Sequence, residues 1–275
     1  MNSSILNTAG YKFIGLDNLE DLKIKFKEKA LALKLKGTIL LSEEGVNIFL
    51  AGLEKDVNDF RAYLSTYPLL KDIYWKDSYS EKKPFRRLLV KIKQEIISMN
   101  HRFICTPERK AKAVTPKELK KWLDNNEEVL LLDTRNDYEI RLGAFKKASD
   151  LHLDHFREFP EKIKSLLPNY QDKKIVAYCT GGIRGEKAAL FMEELGFKDV
   201  YQLEGGILEY FKQCENAHYE GDCFVFDYRV AVDKALNETK YEICYSCWTP
   251  LNENNLKSPL YKKDTHCPHC YERHK

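Results

Sequence analysis

Cys179, Thr180, Gly181, Gly182, Ile183 and Arg184 stand between an apolar run, residues 175–178, and a segment, residues 186–194, with Ala188, Ala189, Phe191 and Met192 at helical spacing. The run reads as a buried strand and the segment as a helix, so Cys179 falls on the tight loop that joins them. Two glycines just after the cysteine let successive backbone N–H groups turn inward around its sulfur, and the following helix aims its positive end at the same point. With Arg184 close by, this is a cradle for an anion. Such surroundings favour thiolate over thiol, and the thiolate is the nucleophile. The expected chemistry is attack by sulfur, with Arg184 and the loop amides stabilising negative charge on the sulfur or on an oxygen adduct. A cysteine that merely packs is the plain alternative, but Gly181, Gly182 and Arg184 together have little packing purpose.

A second set of reactive residues closes the chain. Of eight cysteines, four form two Cys-x-x-Cys pairs, Cys244 with Cys247 and Cys267 with Cys270, and nineteen residues separate the inner two. Two thiolate pairs on short turns supply the four tetrahedral ligands of a structural Zn²⁺, with His266 or His269 as substitutes for a cysteine. Disulfides would fit an even count in a small exported chain. The N-terminal residues, however, show no basic segment followed by a long apolar one, which points to the cytoplasm. No run of about 18 apolar residues is present to span a membrane. His152 and His155 lie three apart without a third ligand in view, which is weak ground for a metal or acid–base role.

The cysteine loop needs a sheet behind it. Residues 129–133 form a short apolar strand that ends in Asp133 and Arg135, the kind buried on both faces of a parallel sheet, whose sites lie at the strands' C-terminal ends. Strands at 174–178 and 199–203, a helix capped by Thr115 with Pro116 at its first turn, and helices near 159–166 and 207–214 complete a small α/β domain of βα repeats. Gly205 and Gly206 read as a turn, since no strand-linked Gly-x-Gly-x-x-Gly is present. Upstream, the order is strand (11–16), helix (19–35), hairpin (38–42 with 46–52), helix (54–67) and strands at 72–76 and 86–95. That order predicts a split βαβ, ferredoxin-like α+β domain. The expected division is 1–97 for that domain, 98–113 for a linker, 114–215 for the α/β domain and 216–275 for a Cys-rich extension. Residues 81–121 carry 13 Lys and Arg against 4 Asp and Glu, which leaves the rest of the chain at −6 of its net +3. Concentrated charge of this kind is the footprint of phosphate contact, and Arg86, Arg87, Lys91 and Lys93 are the candidate RNA contacts.

From Cys179 to Arg184 the chain resembles the rhodanese superfamily. With residues 179–188, the later Tyr201-Gln202-Leu203-Glu204-Gly205-Gly206-Ile207, Glu44-Gly45-Val46-Asn47 and the segment 221–232, it resembles more narrowly the rhodanese-like, oxygen-dependent tRNA uridine hydroxylases. The resemblance covers nearly the whole chain. It implies a rhodanese-like α/β domain, Cys179 as catalytic residue with Arg184 beside it, and Thr180, Gly181, Gly182 and Ile183 as active-site loop. Asp133, Arg135 and Glu139 recur in the rhodanese pattern, and an ion pair with loop hydrogen bonds is the physical role expected of them. One position departs: where that family often has a second cysteine, this chain has Gly185, a glycine in a first helical turn with no evident gain.

The implied activity is hydroxylation of the wobble uridine, position 34, at C5, with molecular oxygen as co-substrate and the tRNA anticodon loop as partner. No flavin, haem or NAD signature is visible. The alternative is a sulfurtransferase that carries a persulfide on Cys179, fed by thiosulfate or a protein sulfur donor. Against it stand the N-terminal domain and the cysteine-rich tail, which a sulfur carrier does not need.

Overall fold

The computed structural model describes residues 4–106 and 108–274. Its N-terminal sheet contains β1 (Ile5–Phe13), β2 (Lys36–Ser42), β3 (Gly45–Leu53), β4 (Lys76–Ser80) and β5 (Leu88–Ile92), in the order β4-β1-β3-β2-β5. The strands β1 and β2 each pair antiparallel with β3 between them, β4 pairs antiparallel with β1, and β5 adds parallel to β2. Two helices, α1 (Leu19–Ala32) and α2 (Glu54–Ser65), pack Phe26, Ala30, Phe60 and Leu64 into one core with Ile39, Ile48 and Leu50 of the sheet. This is the expected split βαβ arrangement with one added strand. Two strands sit elsewhere than predicted. The first begins at Ile5, six residues early, because Asn7 and Thr8 are buried polar residues that face a cavity instead of the core. The fourth occupies Lys76–Ser80, a polar edge strand without the apolar alternation that would announce it.

The second domain contains β6 (Ala113–Val114), α3 (Pro116–Asp124), β7 (Val129–Asp133), α4 (Asp137–Ile140), β8 (Gly143–Phe145), β9 (Ser149–Asp150), α5 (Phe159–Ile163), α6 (Leu167–Tyr170), β10 (Lys174–Tyr178), α7 (Ile183–Glu194), β11 (Asp199–Leu203) and α8 (Gly206–Cys214). Its sheet has the order β6-β11-β10-β7-β9, with every pair parallel. The centre of the sheet, Ile175, Val176, Ala177 and Tyr178, is fully buried between helices on both faces, as an all-parallel sheet requires. The Thr115 side chain caps α3 reciprocally with Glu118.

Residues 98–113 are not a loose tether. Met99, Ile104, Cys105 and Ala111 are buried in the same cluster as Phe13 and the α7 residues Ala188 and Phe191. The two domains are further joined by a charged bolt. Lys187 of α7 is fully buried and donates to both carboxylate oxygens of Glu44 at 3.1 Å and to the Ile97 carbonyl at 3.3 Å. Beyond α8, residues 223–224 pair with 231–232 and pack Cys223 and Val232 into the α/β core, whereas residues 242–243 pair with 250–251 beside a separate small cluster of Cys244, Leu251, Cys267 and Cys270. Among the described residues no helix is long and apolar enough to cross a membrane.

Candidate active site and cysteine cluster

Cys179 follows the last residue of β10, at the carboxyl end of the parallel sheet. Gly182 caps α7 with φ +97°, a left-handed conformation that glycine adopts freely, and its N–H donates to Cys179 Sγ at 3.2 Å. The helix starts at Ile183, three residues earlier than expected, so Arg184 and Gly185 belong to its first turn. Two further N–H groups, from Ile207 and Leu208 at the start of α8, donate to the carbonyls of Cys179 and Thr180 at 3.0 and 3.1 Å. Gly206 permits that approach, because a Cβ on it would lie 2.4 Å from the Cys179 carbonyl. The Gly205-Gly206 turn therefore braces the cysteine loop.

Gly185 has a packing reason that its sequence position did not reveal. A Cβ there would stand 2.8 Å from the Ala177 carbonyl, so α7 rests directly on the backbone of β10.

The Cys179 residue is 1% exposed, and its sulfur is met by a cavity of about 450 Å³. The cavity has three walls: the loop itself, the N-terminal sheet with Asn7, Tyr11 and Lys76, and the segment around Phe226 and Arg229. Arg184 lines it too, but its charge is already committed. Its two terminal nitrogens donate to the two Glu139 oxygens at 2.6 and 2.7 Å, and its guanidinium lies 5.5 Å over the Phe226 ring. Burial alone would lower the Arg184 guanidinium, and the Glu139 carboxylate instead holds it above the ordinary arginine value. Arg184 thus stands at the cavity as one half of a buried ion pair. Asp133 and Arg135 form a second such pair, with contacts of 2.6 to 3.2 Å, and Arg135 also donates to the Gly143 carbonyl.

The cation that sequence reasoning missed is Lys76, which reaches the cavity from the other domain. It is buried, and its ammonium lies 4.8 Å over the Tyr11 ring and 5.3 Å over the Tyr74 ring. Burial pushes it down to about 8, while the sulfur of Cys179 and the carboxylates of Glu186 and Glu209 pull it back up. Tyr11 donates to Glu186 at 2.8 Å, and burial raises both groups. Nothing in the sequence marks a lysine at the end of a polar edge strand. Arg229, also unforeseen, pairs with Asp227 and donates to Ser78 Oγ at 2.7 Å, which ties the 224–230 segment to the N-terminal sheet.

Arg86 and Arg87 line a second, open groove of about 900 Å³ that adjoins the cavity and shares Phe85, His155 and Phe226 with it. Lys91 and Lys93 are exposed but do not line that groove. His152 is exposed and lies with the carboxylates of Asp137 and Asp150, ligand atoms within 4.8 Å of one another, whereas His155 lies on the cavity wall outside any such grouping among the described residues.

In the tail, the four cysteine sulfurs lie within 4.8 Å of one another, with Sγ–Sγ distances of 3.6 Å (Cys247 and Cys267), 3.8 Å (Cys267 and Cys270) and 3.9 Å (Cys244 and Cys270). A tetrahedron with Zn–S bonds of about 2.3 Å has edges of about 3.8 Å, so the donor set fits zinc in both chemistry and spacing. The Cys267 N–H donates to Cys270 Sγ at 3.2 Å across the tight turn.

Comparison with known proteins agrees with this geometry. Residues 5–96 match the UPF0176 acylphosphatase like domain, and residues 115–213 match the rhodanese-like domain. A protein of Cupriavidus pinatubonensis named tRNA uridine(34) hydroxylase is 42% identical over 275 residues, covering 98% of each chain. Proteins of the same name from Cupriavidus taiwanensis and Cupriavidus necator are 43% and 44% identical, over 97% of this chain and 96% of theirs. With its UPF0176-type N-terminal domain, its rhodanese-like domain and this near-complete match, the chain belongs to the tRNA uridine(34) hydroxylase family.

Proposed function

We propose that this protein hydroxylates the wobble uridine of tRNA at C5, giving 5-hydroxyuridine at position 34, with Cys179 as catalytic nucleophile and molecular oxygen as co-substrate, one oxygen atom entering the base and the other leaving as water with two electrons from an external reductant. The observation that carries the reading is the enclosure of the Cys179 sulfur in a cavity of about 450 Å³ to which all three segments contribute. That volume is in the range of small-molecule sites. A base must leave its stack to enter, which the unpaired anticodon loop permits at low cost.

In this reading the backbone N–H of Gly182 orients the sulfur, and the ammonium of Lys76 brings positive charge to the same cavity. Arg184, locked by Glu139, shapes the loop and closes the cavity floor against Phe226. Tyr11 and Glu186 form a side-chain hydrogen bond at the cavity along which a proton can shift. Zinc held by Cys244, Cys247, Cys267 and Cys270 would serve the tail's structure, since a cluster this small has little core of its own.

A persulfide-carrying sulfurtransferase, charged by a protein donor, is the second reading, favoured by the rhodanese-type loop alone. Nucleoside mass spectrometry of tRNA from a deletion strain that lacks any redundant pathway separates the two. Under the hydroxylase reading, the hydroxylated position-34 nucleosides disappear and return with the full chain. Unchanged nucleosides, together with rapid thiosulfate-to-cyanide sulfur transfer by the purified protein, would reverse the choice.

A further inference from the structure

The open groove beside the Cys179 cavity has a composition that the hydroxylase reading does not account for. Seven large aromatic side chains are substantially exposed among the described residues, and four of them, Phe226, Tyr228, Tyr245 and Trp248, line this single groove at 48 to 58% exposure. Arg86 and Arg87 line the same groove. Of the carboxylates that reach it, Asp227 is neutralised by Arg229, which leaves Glu242 against two arginines.

The aromatic residues are held outward by backbone, at a cost. Trp248 has φ +62°, the left-handed region that a bulky residue rarely occupies, and its N–H donates to the Cys244 carbonyl at 2.7 Å. Tyr245 lies within the Cys244-to-Cys247 knuckle and Trp248 directly follows it, with ring centroids 6.3 Å apart. The four-cysteine cluster therefore presents two bare rings beside the catalytic domain. Tyr228 is positioned independently, by a hydrogen bond from its N–H to the Pro84 carbonyl at 3.0 Å.

Exposed flat rings interleaved with guanidinium groups are the recognition chemistry of unpaired RNA: bases stack on the rings and phosphates pair with the arginines. The groove shares Phe85, His155, Val225 and Phe226 with the cavity that holds Cys179, so a strand lying in it would run straight to the sulfur.

We propose that this groove is the binding site for the unpaired nucleotides next to the target uridine, stacked on Trp248, Tyr245 and Tyr228 with their phosphates on Arg86 and Arg87. The proposal rests on the tRNA reading given above. It assigns the cysteine tail a task, that of carrying half of the stacking platform.

The test is binding of a fluorescein-labelled anticodon stem-loop RNA to the full-length, metal-loaded protein by anisotropy over a range of salt. Cys179→Ser is expected to bind as the wild type does, because it removes chemistry and no stacking surface. Trp248→Ala and Tyr228→Ala are each expected to lose about tenfold or more in affinity. Arg87→Ala is expected to lower the slope of log affinity against log salt by about 0.7, the value for one phosphate of a single strand. Lys27→Ala, an exposed position of α1 off the groove, should leave affinity unchanged. The substituted aromatic side chains are exposed, so equal zinc content and equal thermal midpoints will certify the fold. Stem-loop binding that is indifferent to Trp248→Ala and Tyr228→Ala, or that does not weaken with salt, would overturn the proposal and point to a protein partner for the groove. Loss of hydroxylated nucleosides in the deletion strain would then still stand, so failure of the groove is separable from failure of the activity.

Discussion

Arg184 and Glu139 face each other in a two-bond pair, at 2.6 and 2.7 Å, with both side chains buried. An arginine so engaged cannot be lent to a reaction without leaving a buried carboxylate alone. Removing one partner of a buried pair costs about 3–5 kcal/mol, because the other charge is left uncompensated. Glu139→Ala is therefore expected to destabilise the protein by about that amount in urea denaturation, and Glu139→Ala combined with Arg184→Met to recover much of the loss. Equal losses in the single and double variants would show that the pair is not the unit.

Lys76 is the buried cation that reaches the Cys179 cavity from the other domain, and its burial makes a two-sided prediction. Its proton is held less tightly in the folded chain, at about 8, than at the ordinary value of 10.5. The unfolded state therefore binds more protons between those two values, and stability rises with pH through that window. At neutral pH the buried charge costs roughly 3 kcal/mol. Lys76→Met is expected to be more stable at pH 7, to lack the rise between pH 8 and 10.5, and to react more slowly with iodoacetamide at Cys179. Gain of stability with loss of thiol reactivity is what a functional buried charge predicts. Unchanged alkylation in Lys76→Met would remove Lys76 from the site.

Metal removal should act locally. The tail core consists of Cys244, Leu251, Cys267 and Cys270 with a few half-buried neighbours. Stripping the protein with a strong chelator is expected to release about one equivalent of zinc. Residues near 242–271 should become sensitive to trypsin while the α/β domain stays resistant. Less than half an equivalent in protein prepared without chelator would contradict a filled four-sulfur site.

Gly185 tests the seat of α7. Alanine in a helix usually gains up to about 1 kcal/mol over glycine, but here its Cβ would press on the Ala177 carbonyl at 2.8 Å. The contact should win, so that Gly185→Ala lowers stability by about 1–3 kcal/mol. A stabilised Gly185→Ala would mean that the helix can lift off the strand.

How much of this was legible in the chain follows from the range of the interactions. The strand Lys174–Tyr178 has the predicted bounds because a buried parallel strand is a continuous apolar run, and Asp199–Leu203 has them although only Val200 and Leu203 are buried. The cysteine loop and the two Cys-x-x-Cys pairs were visible for the same reason: their partners are a few residues away. What stayed hidden is long-range or polar. Glu44 and Lys187 are 143 residues apart, and each looks like a surface charge on its own. Asn7 and Thr8 disguised half of β1 because they face a cavity, and Lys76 joins Cys179 only through the docking of two domains. Residues 98–113 read as a linker because Met99, Ile104 and Cys105 are scattered among charges, yet all three are buried.

The central claim is that one sulfur, Cys179, performs the hydroxylation. The most direct measurement is the amount of 5-hydroxyuridine-derived nucleoside at position 34 in tRNA from the deletion strain expressing Cys179→Ser at wild-type protein level. The account predicts none above the empty-vector background, with tRNA binding intact. Restoration to the wild-type amount by Cys179→Ser would contradict it.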